Sequence, residues 1–499
     1  MKLDYKRTVF VGFAFFLITA FWQAYDAIVP LILTNHYGLN QLASGAVMSL
    51  DNIIAVFLLP IFGAISDKFN TKHGKRTPFI FIGTIIAIVF FVILALIDSV
   101  QVANISDNDF SQSYAIADTI RNEGYELIKQ GKSTGNAQLV ELGNARLNEA
   151  KEIFEAVRAS TYAVTKNHIG SLIAFIAVLL FLLVAMATFR SPAVALMPDV
   201  TVKPLRSKGN AIINLMGTAS GIVVLILGVV FKTSKNMFSS YTGYVISVAA
   251  VMAIGLVVFI FTVKEKKWAQ EMQEQTERLG LDKVEEADKP EAVRTLGKGE
   301  KRSFILILAS VALWFIGYNS ITSKYSVYAS NELGFDYNLT LIVATAAAAV
   351  AYIPVGIISS KIGRKKSILA GIVMLATAFF IGNFITPTFN EAIMYPIFML
   401  AGIGWATINV NSFPMVVELA RGSEVGKYTG YYYTASMAAQ IVAPILAGAL
   451  YLVFGMRETF FAFGTVFVAL SFVTMFFVKH GDSIPEKRGI LESLDVDGD

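Results

Sequence analysis

Cysteine is absent, so the chain has neither a disulfide framework nor a thiolate metal site. Charge is scarce. Asp, Glu, Lys and Arg make up 16% of the 499 residues, where soluble domains carry about 25%. That shortage excludes a soluble enzyme, because too little charge is left to solvate a globular surface. Proline numbers only 13, which with the low charge excludes a disordered chain. The formal net charge of +4 gives no case for nucleic acid. The four histidines (His36, His73, His168 and His480) are scattered, with no His-Glu-x-x-His pair, and neither metal nor cofactor is expected. Gly131-Lys132-Ser133 lacks the upstream glycine of a phosphate loop, Glu126 standing there, so ATP-driven work within this chain is not expected.

What is present is apolar: 55% by the AVILMFWYC count, 38 phenylalanines and a mean hydropathy of +0.60. Runs of about 20 apolar residues mark membrane helices. Twelve are legible, near 8–33, 43–66, 77–97, 170–195, 209–231, 241–263, 303–325, 338–360, 367–386, 391–415, 427–454 and 458–478. The first is too long for a signal-peptide core and is read as a span.

Short loops after even-numbered runs are basic: Lys68, Lys72, Lys75 and Arg76; Lys203, Arg206 and Lys208; Lys361, Arg364, Lys365 and Lys366. Loop 34–42 has no Lys or Arg. The positive-inside rule then puts both termini and loop 264–302 in the cytoplasm of a multi-pass plasma-membrane protein. The reading divides into a six-helix bundle at 1–263, a linker at 264–302, a second bundle at 303–480 and a tail at 481–499. Residues 98–169, on the outer side, are polar and helix-forming, with Leu139, Leu142, Leu147, Ile153, Phe154 and Val157 suggesting a helical pair that caps the bundle. Trp268 and Met272 suggest an interfacial helix in the linker.

The halves echo each other. Gly63-Ala64-Ile65-Ser66-Asp67-Lys68, then Gly74-Lys75-Arg76, follows run 2; Gly356 to Ser360-Lys361-Ile362-Gly363-Arg364-Lys365-Lys366 follows run 8. A second echo sets Asp199 and Gly209 against Glu418 and Gly426. Parallel six-helix repeats are a transporter arrangement, with the substrate at midplane between them.

The Gly-x-x-x-Asp-Lys…Gly-Lys-Arg loop resembles the signature of the major facilitator superfamily. The longer string through Thr77-Pro78-Phe79-Ile80, together with Ser191-Pro192-Ala193 to Pro198-Asp199, resembles the sugar–cation symporters, including the glycoside–pentoside–hexuronide group. The resemblance implies an all-α fold of two pseudo-symmetric six-helix bundles. It also implies that Gly63, Asp67, Lys75, Arg76, Gly356, Gly363, Arg364 and Lys365 brace the gate between halves, with a weaker second latch because Ser360 replaces the acid. Physically, Asp67 can favour a helix N-terminus while Lys75 and Arg76 pair with carboxylates. Melibiose-type members place two acids before a proline for sodium; Ala55 and Leu59 stand at those places before Pro60, which favours a proton. Plant sucrose symporters carry an arginine where Val194 stands, one turn beyond Arg190.

Ionisable groups at membrane depth are functional by default. Asp26, Asp51 and Arg190 are the proton-coupling candidates; the alternatives are a sugar-hydroxyl acceptor for either acid, a merely wetted Asp26 and a snorkelling Arg190. Sugar recognition asks for aromatic faces beside amides. The substrate-binding candidates are Trp22, Gln23, Asn52, Asn214, Trp314, Tyr318, Asn319, Trp405, Asn409, Asn411, Tyr432 and Gln440, whose alternative role is interhelical packing. Runs 3, 6, 9 and 12 are nearly free of polar residues, as expected of lipid-facing helices. The reading is a non-enzymatic, proton-coupled sugar symporter working by alternating access, for a disaccharide or glycoside such as maltose or sucrose, functional as a monomer in the bilayer. The rivals are a transporter or exporter of another small solute, a non-transporting sensor and a lipid-linked-sugar enzyme.

Overall fold

The computed structural model describes residues 3–106, 110–202, 205–235, 237–278, 297–419 and 425–480, side chains at 207, 360, 417–419 and 425–427 excepted. The expectations at Lys203, Ser360, Glu418, Gly426 and the tail 481–499 lie outside this description.

Backbone amides in hydrocarbon must be satisfied within their own segment, which makes each apolar run a helix. Among the described residues, twelve helices are long and apolar enough to cross a bilayer. These spans, numbered 1 to 12, are Tyr5–His36, Gln41–Lys68, Thr77–Ser106, Ile169–Val200, Lys208–Val230 and Thr242–Thr262, then Lys298–Thr322, Tyr337–Ser359, Arg364–Gly382, Glu391–Val416, Tyr428–Phe454 and Met456–Phe476. Prolines inside them, such as Pro60, Pro354 and Pro444, are tolerated because neighbouring helices make good the lost bonds.

Packing repeats between the halves. Span 1 packs on 5 and 6, span 3 on 4 and 6, and span 2 on 4; span 7 packs on 11 and 12, span 9 on 10 and 12, and span 8 on 10. The contacts that cross between halves are related the same way, span 2 on span 11 and span 5 on span 8. The fold is therefore two pseudo-symmetric six-helix bundles.

One end of the assembly carries the residues before span 1, and the opposite end carries the insert. At the insert end the halves are stitched together. Span 2 crosses span 11 at backbone contact: a Cβ on Gly45 would lie 2.2 Å from the Pro444 carbonyl oxygen, and one on Gly448 2.4 Å from that of Gln41. Ser49 Oγ donates to the Ile441 carbonyl at 3.0 Å. Thr233 Oγ1 meets the Tyr337 hydroxyl at 2.6 Å and accepts from Asn338 Nδ2 at 3.1 Å. Lys324, fully buried, donates from Nζ to Ser44 Oγ. At the other end, no hydrogen bond between described residues joins the halves. This state is shut at the insert end.

Span 3 runs on to Ser106, beyond the expected end at 97, and two helices follow, Phe110–Thr134 and Ala137–Asn167. They turn at Gly135 (φ 68°), and Asn136 caps the second by accepting from the amides of Gln138 and Leu139. Ile153 and Val157 seal the base of this hairpin against Ile105, Phe110 and Phe238, whereas Leu142 is exposed and does not join the seam.

The helix Glu265–Arg278 corrects the linker expectation. Trp268 is buried against the first half beneath the Arg7 guanidinium, 5.5 Å from the ring centroid, so its ring is not presented outward as an interfacial anchor would be. Glu265 is the anchor. Its carboxylate accepts from the amides of Lys75, Arg76 and Thr77 and from Thr77 Oγ1, at 2.6–3.1 Å. A buried anion thus takes the unpaired donors at the start of span 3.

Candidate functional site

A cavity of about 330 Å³ lies between the halves. Its walls come from spans 1, 4, 5, 7, 8, 10 and 11, and spans 3, 6, 9 and 12 contribute none. Span 1 supplies Phe15, Ile18, Thr19 and Gln23; span 5 supplies Asn214, Gly217, Thr218 and Gly221. From the second half come Phe315, Tyr318 and Asn319, then Thr345 and Tyr352, then Trp405, Asn409 and Phe413, and finally Tyr432 and Gln440. Span 4 adds Arg190 and Val194.

Tyr318 and Trp405 form one wall. Their rings are parallel, with centroids 3.6 Å apart, and Phe315 packs edge-on to Trp405 at 5.3 Å. Each stacked ring offers one remaining face. Amides from five helices surround the space: Gln23, Asn214, Asn319, Asn409 and Gln440. Asn319 spends an Nδ2 donor on its own helix, at Phe315 O. Tyr432 meets Ser412 Oγ through its hydroxyl at 3.0 Å.

Four expected substrate contacts are not in the wall. Trp314 is fully buried, because span 7 turns it into the packed core of its own half. Asn411 is also buried and donates to Thr407 O, one turn back in span 10. Asn52 donates to Asp51 Oδ1 at 2.8 Å. Trp22 lies behind the wall, edge-on to Phe21 and Tyr25, with Arg190 over its ring at 5.7 Å. The sequence reading missed Phe15, Phe315, Thr345, Tyr352 and Phe413; Phe15, Thr345 and Tyr352 sit in largely apolar stretches, and Phe315 and Phe413 carry no polar group to set them apart from core phenylalanines.

Asp26 and Asp51 do not line the cavity either. They stand beside it, in electrostatic contact with one another, and Asp51 is in turn in contact with Arg190. Each acid is linked to the cavity wall, Asp51 through Arg190 and Asp26 through Tyr318. Tyr25, fully buried, faces both acids.

The expected gate residues brace each half on its own in this state. Arg76 Nε binds Asp199 at 2.7 Å, while its other nitrogens bind Asp67 and Ser66 Oγ, tying spans 2, 3 and 4 together. Asp67 ends span 2, so the helix N-terminus expected for it belongs to Glu265. Lys75 gives that carboxylate its main-chain amide, and its side chain is exposed, which corrects its expected ion pair. Gly63 allows close approach, since a Cβ there would lie 2.8 Å from Ser191 Oγ. In the second half Gly363 turns the chain at φ 91°, next to buried Arg364. Lys365 Nζ caps the last span at the carbonyls of Phe476 (2.9 Å) and Val478 (2.6 Å), and Gly356 is buried.

The Major Facilitator Superfamily profile matches residues 159–420 and 337–493. This chain belongs to the major facilitator superfamily. A second profile, MFS/sugar transport protein, matches residues 10–105. An uncharacterized MFS-type transporter of Methanocaldococcus jannaschii is 24% identical over 203 residues, 40% of this chain and 50% of the relative, so the chain spans about half the length of that relative in the match. Among solved structures, the inward-open xylose transporter of E. coli aligns with 97% of this chain and 98% of its own, at a TM-score of 0.60 and 12% identity. A POT family transporter in complex with 5-aminolevulinic acid aligns at a TM-score of 0.60 and 11% identity over 94% and 96%. A D-xylose–proton symporter aligns at 0.57 and 14% over 97% and 99%. These likenesses show the fold. The protein is a multi-pass membrane protein of this superfamily.

Proposed function

We propose that the transported solute is a sugar, a disaccharide or glycoside such as maltose or sucrose, moved in symport with protons. The observation that carries this reading is the cavity wall: a stacked Tyr318–Trp405 pair set among five amide side chains from both halves. Ring C–H faces pack on aromatic faces, and amides give hydroxyls paired donors and acceptors. The volume suits a small ligand, for which pockets run from about 300 Å³ upward. The match of residues 10–105, spans 1 to 3, to a sugar-transport profile supports the same branch.

Asp26 and Asp51 are the proton carriers in this reading, and Arg190 senses the loaded cavity and biases Asp51. Among the described residues no third acid acts on either of the two, and Ala55 and Leu59 stand where a sodium-using relative would carry carboxylates, so a proton is the simpler coupling ion. The basic loops at the terminal end support a cytoplasmic side for that end, by the positive-inside rule. The state described is then the inward-facing one. Phe15, Phe315 and Phe413 favour a second reading, a more apolar solute.

Uptake of radiolabelled maltose and sucrose into proteoliposomes under an inward proton gradient tests the proposal. Accumulation that collapses with an uncoupler is the expected result. Absence of uptake for both, with sodium also supplied, overturns the sugar assignment and leaves the transporter fold standing.

A further inference from the structure

We propose that the hairpin 110–167 is a strap that holds the mouth at the insert end shut and so sets the balance between the two access states. The inference goes beyond the sugar reading and does not depend on the solute.

The root of the hairpin is fixed to the first half. Thr165 Oγ1 donates to Tyr37 O and accepts from Gln101 Nε2, each at 3.0 Å. Next to them, buried His36 meets Asp98 at 2.6 Å through Nδ1 and the Met237 carbonyl at 2.9 Å through Nε2. With both ring nitrogens engaged, the ends of spans 1 and 3 and the 5–6 loop form one block, and the strap moves with it.

The side of the hairpin reaches the second half. Tyr114 donates its hydroxyl to the Asn331 carbonyl at 3.0 Å, and Arg121 Nη1 donates to the same oxygen at 2.5 Å. Arg121 is buried and held by Asp118, so its guanidinium is already aimed. The Arg457 guanidinium lies over the Tyr125 ring at 5.8 Å. Glu332, one residue past the gripped carbonyl, faces Arg121, Arg457 and Lys151.

Residues 328–333 are the continuation of span 7, the part of the second half that must leave span 1 when this mouth opens. Alternating access separates the halves here. Every contact from the hairpin to Asn331 and Arg457, and its electrostatic attraction to Glu332, joins a first-half element to a second-half element, and each is lost on opening. Their free energy counts wholly toward the shut state.

The absence of native cysteine allows a direct test. Ser49, buried in the seam, becomes Ser49→Cys, and its modification by a membrane-impermeant maleimide reports opening at the insert end. Adding Tyr114→Phe and Arg121→Ala is expected to raise the labelling rate about fivefold or more, since two bonds across the seam are lost. Arg146→Ala, which breaks the exposed pair with Glu149 within the hairpin, is expected to leave it unchanged. Unchanged labelling in the strap variant overturns the proposal. A second arm does not rely on that variant folding. Cysteines at Tyr125 and Arg457, bridged by a short bis-maleimide before the reporter is probed with a distinguishable thiol reagent, are expected to abolish labelling at Ser49→Cys. Labelling that persists through the bridge refutes the strap.

Discussion

Asn35 and Asn331 face each other across the seam, each side-chain amide donating to the other's oxygen, at 2.6 and 3.3 Å. They occupy equivalent places in the two halves. Span 1 ends in a π-helical turn, Ile32–His36, and the continuation of span 7 in another, Tyr328–Leu333. The wider turn pushes a side chain out of the helix track, and here it brings two pseudo-symmetric asparagines together. Replacing either by alanine leaves the partner amide unpaired in the shut state, at about 1 kcal/mol. Spin labels at Ile169→Cys and Phe384→Cys, on opposite halves at the insert end, measure the open fraction. Each single variant is expected to raise it, and the double variant to raise it no further than the larger single. Additive effects remove the pair from the closure.

Closure also rests on the two glycines where spans 2 and 11 cross. A methyl at Gly45 or Gly448 meets a backbone carbonyl at 2.2–2.4 Å, and backbone yields less than a side-chain tip. Overpacking of this kind costs ~1–3 kcal/mol. Gly448→Ala is expected to populate the state open at the insert end, seen as a longer label distance. An unchanged distribution shows that the crossing tolerates the methyl.

Lys324 makes that equilibrium depend on pH. Burial holds its amine down from 10.5 to about 7 in the shut state, with Ser44 as hydrogen-bond partner. Opening hydrates the amine and restores its ordinary value, so between about pH 7 and 10 the open state binds the extra proton. The shut state is favoured most at high pH and loses that advantage as pH falls through this window. Below about 7 the amine is protonated in both states and the dependence ends. Label distances measured from pH 6 to 10 are expected to follow this curve and to flatten in Lys324→Met. A curve unchanged in Lys324→Met assigns the titration elsewhere.

How far these features were legible in the sequence depends on the signal that each residue carries. Bilayer thickness fixes span length, so the twelve spans stand out as runs. The apolar spans 3, 6, 9 and 12 stand out by lacking polar groups, and they supply none of the cavity wall. Helical spacing, in contrast, cannot separate a core-facing Trp314 from a cavity-facing Trp405, because both are apolar surfaces on polar-flecked helices. The reach of Glu265 to the start of span 3 was hidden because 188 positions separate it from Thr77, and no local pattern encodes such a contact. The seam was hidden for the same reason: Gly45, Asn35 and Lys324 acquire meaning only from their partners in the other half.

Glu265→Ala leaves three amides at the start of span 3 without their acceptor in a buried site. The expected loss is about 2–4 kcal/mol, read as a lower Tm for the detergent-purified protein. Arg7→Ala is the contrast. Its pair with Glu271 is 40% and 31% exposed, which places it among surface bridges worth about 1 kcal/mol or less. Equal melting of the two variants removes Glu265 as the anchor.

In the proton-symport reading, Asp51 is the residue at which coupling and binding are separable. It stands outside the cavity wall but in electrostatic contact with both Arg190, which lines the wall, and Asp26. Solute contacts therefore survive its neutralisation, whereas a proton can no longer be held and released there. Asp51→Asn is expected to abolish uphill accumulation under a proton gradient while counterflow exchange of the same solute continues at a measurable rate. Arg190→Ala removes a wall residue as well as the charge beside Asp51, so it is expected to raise the apparent KM and weaken coupling together. Full accumulation in Asp51→Asn excludes it as the coupling acid and leaves Asp26, which is in electrostatic contact with Tyr318 of the wall. Loss of exchange along with accumulation instead makes Asp51 part of the solute site, because a pure proton carrier has no role in downhill exchange.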